Sequence, residues 1–156
     1  MGSNTMNKKK GLTLVEVIIV ISILIVVTSG AMRLFRSFDE AEALNREFAN
    51  TISLLEKARQ ETLFSKDSSK YGVRFNTDEM ILFKGEFYAT SSTDNIIVKL
   101  HPKVLISDIN LPNGTTSVSF KRLSGETSQS GTITLQSLLD ASNIKVITIE
   151  KTGIVR

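Results

Sequence analysis

Glu16 is a carboxylate set inside an apolar run, and the chemistry open to it there is to pair with a cation. No other side chain between it and Arg33 ionises. Lys8, Lys9 and Lys10 stand just upstream, so the carboxylate can either snorkel back toward Lys10 and water or pair with a positive group that arises only after the chain is processed. Elsewhere the residues that could do chemistry are few. His101 is the single histidine and precedes Pro102, which suits a strand end or loop better than a metal ligand or a base. There is no cysteine, hence no thiolate nucleophile and no disulfide. Asp39, Glu40 and Glu42 are close in sequence, but acid–base catalysis needs a shaped, partly buried site, which a solvated helix face does not supply. The acidic spacing around Asp94-Asn95 does not make a calcium loop, and the glycines form neither a phosphate loop nor a dinucleotide fingerprint. Asn113-Gly114-Thr115 fits a glycosylation sequon and is read as a turn. The chain is therefore expected to be no enzyme, with no catalytic residue, no metal and no cofactor.

The elements around Glu16 say more. Leu12 to Met32 would rise about 30 Å as a helix, roughly the hydrocarbon thickness of a bilayer. The flanking lysines lie only on the N-terminal side, which keeps that end cytoplasmic and sends the bulk of the chain outward. Thr28-Ser29-Gly30 predicts a weak point in the helix, since these residues are poor helix formers. From Arg33 onward, Leu34, Phe38, Ala41, Leu44 or Asn45, Phe48, Ile52, Leu55 and Arg59 recur at spacings of three and four, which predicts an amphipathic helix. Arg36, Glu40, Arg46, Glu47, Glu56 and Glu61 form its solvated face, with Glu42 and Arg46 in the favoured acid-first order. One helix from Leu12 to about Phe64 would reach near 80 Å at about 1.5 Å per residue. Ser65-Lys66-Asp67-Ser68-Ser69 is the breaker that ends it.

Gly11-Leu12-Thr13-Leu14-Val15-Glu16 and the apolar run after it resemble the class III signal of type IV pilins and type II secretion pseudopilins. The resemblance implies a prepilin peptidase that cuts between Gly11 and Leu12, N-methylation of the new Leu12 amine, and pairing of Glu16 with the terminal amine of a neighbouring subunit during assembly. The family most often has Phe directly after the cut, where this chain has Leu12, also large and apolar. Met1 and Met6 are both candidate first residues, and the motif is the same for either.

Beyond Ser69 the period becomes strand-like. Strands are expected near 71–75, 80–84, 86–89, 96–100, 104–109, 117–122, 131–135 and 145–150, with a short closing strand over 153–156 and a brief helical turn at 138–141. The stretches 71–75, 131–135 and 147–156 resemble the H-type minor pseudopilins and FimT-like minor pilins, which carry a small β-sandwich on the C-terminal half of the long helix. The expected architecture is α+β and pilin-like: leader 1–11, membrane and filament-core helix 12–32, amphipathic half 33–65, and an outward antiparallel β-domain 66–156.

A chain of 156 residues with 41% hydrophobic content can carry a membrane segment and one modest core. Its net charge of +3 belongs to the leader: taking three lysines from 19 basic residues leaves 16 against 16 acids. The resemblance implies a subunit, and a minor one, of a type IV pilus or secretion pseudopilus, inserted in the inner membrane and then built into the filament beside other subunits. Two other readings stand beside it. One is a DNA-binding minor pilin for uptake, for which Arg74, Lys121, Arg122, Lys145, Lys151 and Arg156 would have to gather on one face. The other is an exported soluble β-protein with an ordinary signal peptide, cut at Ser29-Gly30-Ala31. Glu16 in the apolar core, and the helical pattern running past Ala31, speak against it. A lipid anchor is disfavoured because Met1-Gly2-Ser3-Asn4-Thr5-Met6 lacks the Ser or Thr that a myristoylation signal wants at the sixth position.

Overall fold

The computed structural model describes residues 13–156, apart from the side chains of residues 29–38 and of Lys66. One helix, α1, runs Leu14–Leu63 and includes residues 28–30, where composition predicts a weak point. The chain divides into two units, Met1–Phe38 and Asp39–Arg156.

In the first unit the described side chains of α1 are exposed, with apolar residues from Leu14 to Val27 all uncovered. Their hydroxyl neighbours are satisfied inside the helix: Ser22 Oγ donates to the Ile18 carbonyl at 2.7 Å and Thr28 Oγ1 to that of Leu24 at 2.7 Å. Such back-bonding hides hydroxyls from apolar surroundings.

The second unit wraps its β-strands around the rest of α1. They are β1 (Tyr71–Phe75), β2 (Glu79–Lys84), β3 (Ile96–Lys99), β4 (Val104–Asn110), β5 (Ser117–Ser119), β6 (Gly131–Ser137) and β7 (Ile144–Ile149). All described pairings are antiparallel, in one sheet of order β3-β2-β1-β5 and another of order β4-β6-β7. In β6 alternation does the sorting, with Ile133 and Leu135 buried and Thr132, Thr134 and Gln136 not, whereas β1 and β2 bury consecutive residues. Val73, Phe75, Met80, Leu82, Val118 and Phe120 from the first sheet join Ile133, Leu135, Ile147 and Ile149 from the second in one core with Leu44, Leu55 and Ala58 of α1.

The helix face is turned from the expected one, although Leu44 and Leu55 are buried as expected; the side chains of Leu34, Arg36 and Phe38 lie outside the described residues. The buried line is Ala43, Leu44, Glu47, Thr51, Leu54, Leu55, Ala58 and Thr62, whereas Ala41 and Asn45 are exposed and Phe48, Ile52 and Arg59 only half-buried. Small residues explain the rotation. Ala43, Thr51, Ala58 and Thr62 let the sheets approach closely, and the two threonines bond back to the Glu47 and Ala58 carbonyls at 2.7 and 2.8 Å. Thr62 Oγ1 also accepts the Tyr71 N–H at 2.8 Å, joining the end of the helix to β1.

Several strand expectations shift for local reasons. Residues 86–89 are not a strand, because Gly85 at φ +125° turns the chain out of β2 and Tyr88 then packs edge-on against Phe83, with the Arg74 guanidinium 4.6 Å from its ring centroid. β5 stops at Ser119, ahead of the left-handed residue Leu123 at φ 72°. Residues 138–141 bend without forming a helical turn. The closing strand shrinks to the bridge Ile149↔Val155 and a pair of hydrogen bonds between Thr148 and Arg156. Its turn depends on Gly153, at φ +79°, where a Cβ would lie 1.9 Å from the Gly125 carbonyl oxygen.

Candidate assembly and processing site

Gly11 and Leu12, the expected cleavage point and methylated amine, lie outside the described residues. The helix start just after them is described. Thr13 precedes the first helical residue, and its Oγ1 accepts the Glu16 N–H at 3.3 Å, while the Thr13 carbonyl accepts the Val17 N–H at 3.2 Å. Thr13 is thus the N-cap of α1, and Glu16 sits in the first turn, where the helix dipole favours a negative charge. Thr-x-x-Glu is a capping-box sequence, a helix-start signal legible in the chain beside the membrane anomaly of Glu16. Glu16 is exposed, so its carboxylate is open to an external cation.

Among the described residues no helix is long and apolar enough to cross a membrane. The described apolar side chains of α1, from Leu14 through Val27, cover about 20 Å at 1.5 Å per residue, short of a bilayer core. The expected 12–32 span draws its remaining length from residues outside that set.

His101 lines a crevice of about 30 Å³ with Asp39, Ala43, Arg46 and Glu47, too small for a substrate. The histidine itself is exposed, and its Nδ1 accepts the Lys103 N–H at 3.3 Å. Lys103 also hydrogen-bonds the Asp39 carboxylate, and that bond, with the ammonium charge, holds Asp39 below its ordinary pKa of 3.8. Glu47 is not on the solvated face: it is 7% exposed, and its Oε2 has no hydrogen-bond partner among the described residues. Glu42 and Arg46 do pair, at 2.6 Å, on exposed side chains. No group of three metal-ligating side chains occurs among the described residues.

Most of the candidate nucleic-acid contacts are engaged within the protein. Arg74 lies over Tyr88, and Lys145 of β7 stands 5.3 Å from the Phe48 ring centroid. Arg122 donates to Ser65 Oγ and to the Ser68 carbonyl at 3.4 and 3.1 Å, holding its loop to the end of the helix. Arg156 pairs with Glu150 at 2.6 Å. Lys121 and Lys151 do line one shallow cavity, and there Glu126 stands 3.9 Å from the Lys121 ammonium.

The prokaryotic N-terminal methylation motif matches residues 6–32, the stretch that holds Gly11, the Thr13 cap and Glu16. No curated protein matches the chain. The structure is similar to the type IV minor pilin FimU of Pseudomonas aeruginosa, at 11% identity over 72% of this chain and 90% of that one, with a TM-score of 0.56. It is also similar to the minor pseudopilin EpsH of the type 2 secretion system of Vibrio cholerae, at 14% identity over 72% of this chain and 94% of that one, with a TM-score of 0.50. The fold is pilin-like α+β, an N-terminal helix packed on antiparallel sheets. Motif and fold together support the type IV pilin and pseudopilin family.

Proposed function

We propose that this chain is a minor, non-enzymatic subunit of a type IV pilus or type II secretion pseudopilus. The observation that carries the reading is the coincidence of an N-terminal methylation motif over residues 6–32 with a pilin-like fold in the rest of the chain. In this reading prepilin peptidase cuts between Gly11 and Leu12, the Leu12 amine is methylated, and the apolar part of α1 is held in the inner membrane with the β-domain outside. The helix then enters a filament among other subunits, where its uncovered apolar side chains are buried against neighbouring helices. Glu16 pairs there with the terminal amine of an adjacent subunit.

The intact mass of the membrane-extracted protein tests this directly. A product beginning at Leu12 with one added methyl group is expected, and replacing Gly11 with a bulky residue should leave the full-length chain. A product beginning at Met32 would establish an ordinary signal peptide instead.

A further inference from the structure

Beside β5 lies a cavity of about 280 Å³ whose construction the filament role does not use. Phe120 N–H donates to the Tyr71 carbonyl and the Thr116 carbonyl accepts from Phe75, so Thr116 and Phe120 bond inward to β1. Strand alternation then turns the backbone groups of Ser117 and Ser119 to the open edge of the sheet. At Ser119 that edge is already occupied by side chains: its N–H donates to Gln129 Oε1 at 3.3 Å, and its carbonyl accepts from Thr127 Oγ1 at 2.9 Å. A backbone N–H can only donate, so the amide oxygen of Gln129 must face it and the NH₂ group faces away, on a residue that lines the cavity.

Phe87, 82% exposed, also lines the cavity. Its position is set by its neighbours: Gly85 N–H is bonded to the Lys70 carbonyl at 2.8 Å and Tyr88 is anchored on Phe83, which leaves Phe87 out of the core between two fixed residues. Lys70 and Glu86, which also line the cavity, pair at 2.9 Å, and Lys121 has Glu126 near it. The site thus combines an aromatic face, an oriented amide, the hydroxyls of Ser117 and Ser119, and charges that largely cancel.

We propose that this cavity binds a neutral, polyhydroxylated ring, that is, a sugar. An exposed Phe offers an apolar platform for the C–H face of such a ring, and hydroxyls and an amide offer both donors and acceptors for its rim. An extended peptide is a poorer fit, because a strand added at β5 would have to displace Gln129 and Thr127 from Ser119. An anion is a poorer fit because both lysines already have carboxylate neighbours. The cavity is at the small end of ligand sites, so affinity should be weak, with a dissociation constant on the order of 1 mM.

The test is saturation-transfer NMR on the full chain in an amine-oxide detergent, which has no sugar headgroup. The probes are methyl β-glucoside, methyl β-galactoside and N-acetylglucosamine. Transfer to the ring protons of at least one probe is expected, weakened tenfold or more in Phe87→Ala and kept in Phe87→Trp. Phe87 is outside the core, so the Ala variant should keep the native melting temperature and fold. Absence of transfer from all three sugars would overturn the proposal, as would transfer indifferent to Phe87→Ala or displacement by inorganic phosphate, which would mark an anion site.

Discussion

The Glu16 backbone N–H is bonded to Thr13 Oγ1 at 3.3 Å, so the residue proposed to join subunits is also a member of the helix cap. The two roles use different atoms and can be separated. Thr13→Ala should weaken the start of α1 by about 1 kcal/mol and leave the share of the protein in sheared filaments near the native level. Glu16→Val keeps the N–H and removes the carboxylate. It should insert and be cut after Gly11, yet fail to enter filaments or crosslink to the major subunit. Native incorporation of Glu16→Val would withdraw the pairing role.

Gly153→Ala should be among the most destabilising single-methyl changes in the β-domain. The new Cβ would lie 1.9 Å from the Gly125 carbonyl oxygen at a φ of +79°. A loss of at least about 2 kcal/mol is expected from strain of this kind, read as a lower denaturation midpoint. Gly114→Ala serves as the control, because its positive φ brings strain without any neighbour within 4 Å.

Tyr71 should titrate at high pH. Burial, and its hydroxyl's 3.0 Å bond to the Asp67 carboxylate, push it up to about 12 from 10.0. Because the folded value is raised, its contribution to stability is fully present below pH 10 and is lost as pH rises through 12. In Tyr88→Phe, which leaves a single tyrosine, the phenolate absorbance should rise with a midpoint near 12 while the chain is folded. A midpoint at the ordinary value would refute the burial argument.

Asp39 gives the acid counterpart. Its pKa is lowered by Lys103, so the pair contributes stability above pH 3.8 that is lost as pH falls through the depressed folded value. Melting temperature followed from about pH 5 downward should decline less steeply in Lys103→Met than in the native protein.

Duplex DNA should bind weakly and with a shallow salt dependence, since affinity follows the number of phosphates neutralised. Of the basic side chains considered for that role, Arg122 and Arg156 are engaged within the protein and Lys121 has a carboxylate neighbour. Sub-micromolar binding at physiological salt, abolished by changing Lys121 or Lys151, would revive the DNA-uptake reading.

The long helix, its end near Ser65 and most of the strands are legible in the sequence because each has its own period; β6 keeps that period in its burial, whereas β2 buries Met80, Ile81, Leu82 and Phe83 in succession. The rotation of α1 is not. A count of apolar residues ranks Ala41 and Phe48 above Thr51 and Thr62, but close approach to a sheet selects for small size, and a threonine whose hydroxyl bonds back to its own helix is buried without penalty. Glu47 follows from the same rotation, since a carboxylate on a charged stretch gives no sign that its neighbours bring it inward. At the N-terminus, Gly11, Leu12 and Glu16 are legible as a motif, and Thr13 as a cap is equally legible once Thr-x-x-Glu is read as helix chemistry. The role of Gln129 is not, because it depends on which strand happens to stand opposite it.

Gln129 and Thr127 give Ser119 what an adjacent strand would give it, one acceptor and one donor, from side chains that belong to the same chain. The sheet therefore ends in a counterfeit strand. In a filament of the proposed kind, where copies lie close together, this keeps the first sheet from fusing with a neighbour edge to edge at β5. Removing the counterfeit, as in Gln129→Gly combined with Thr127→Val, should free both Ser119 backbone groups and raise the tendency of the domain to pair edge to edge.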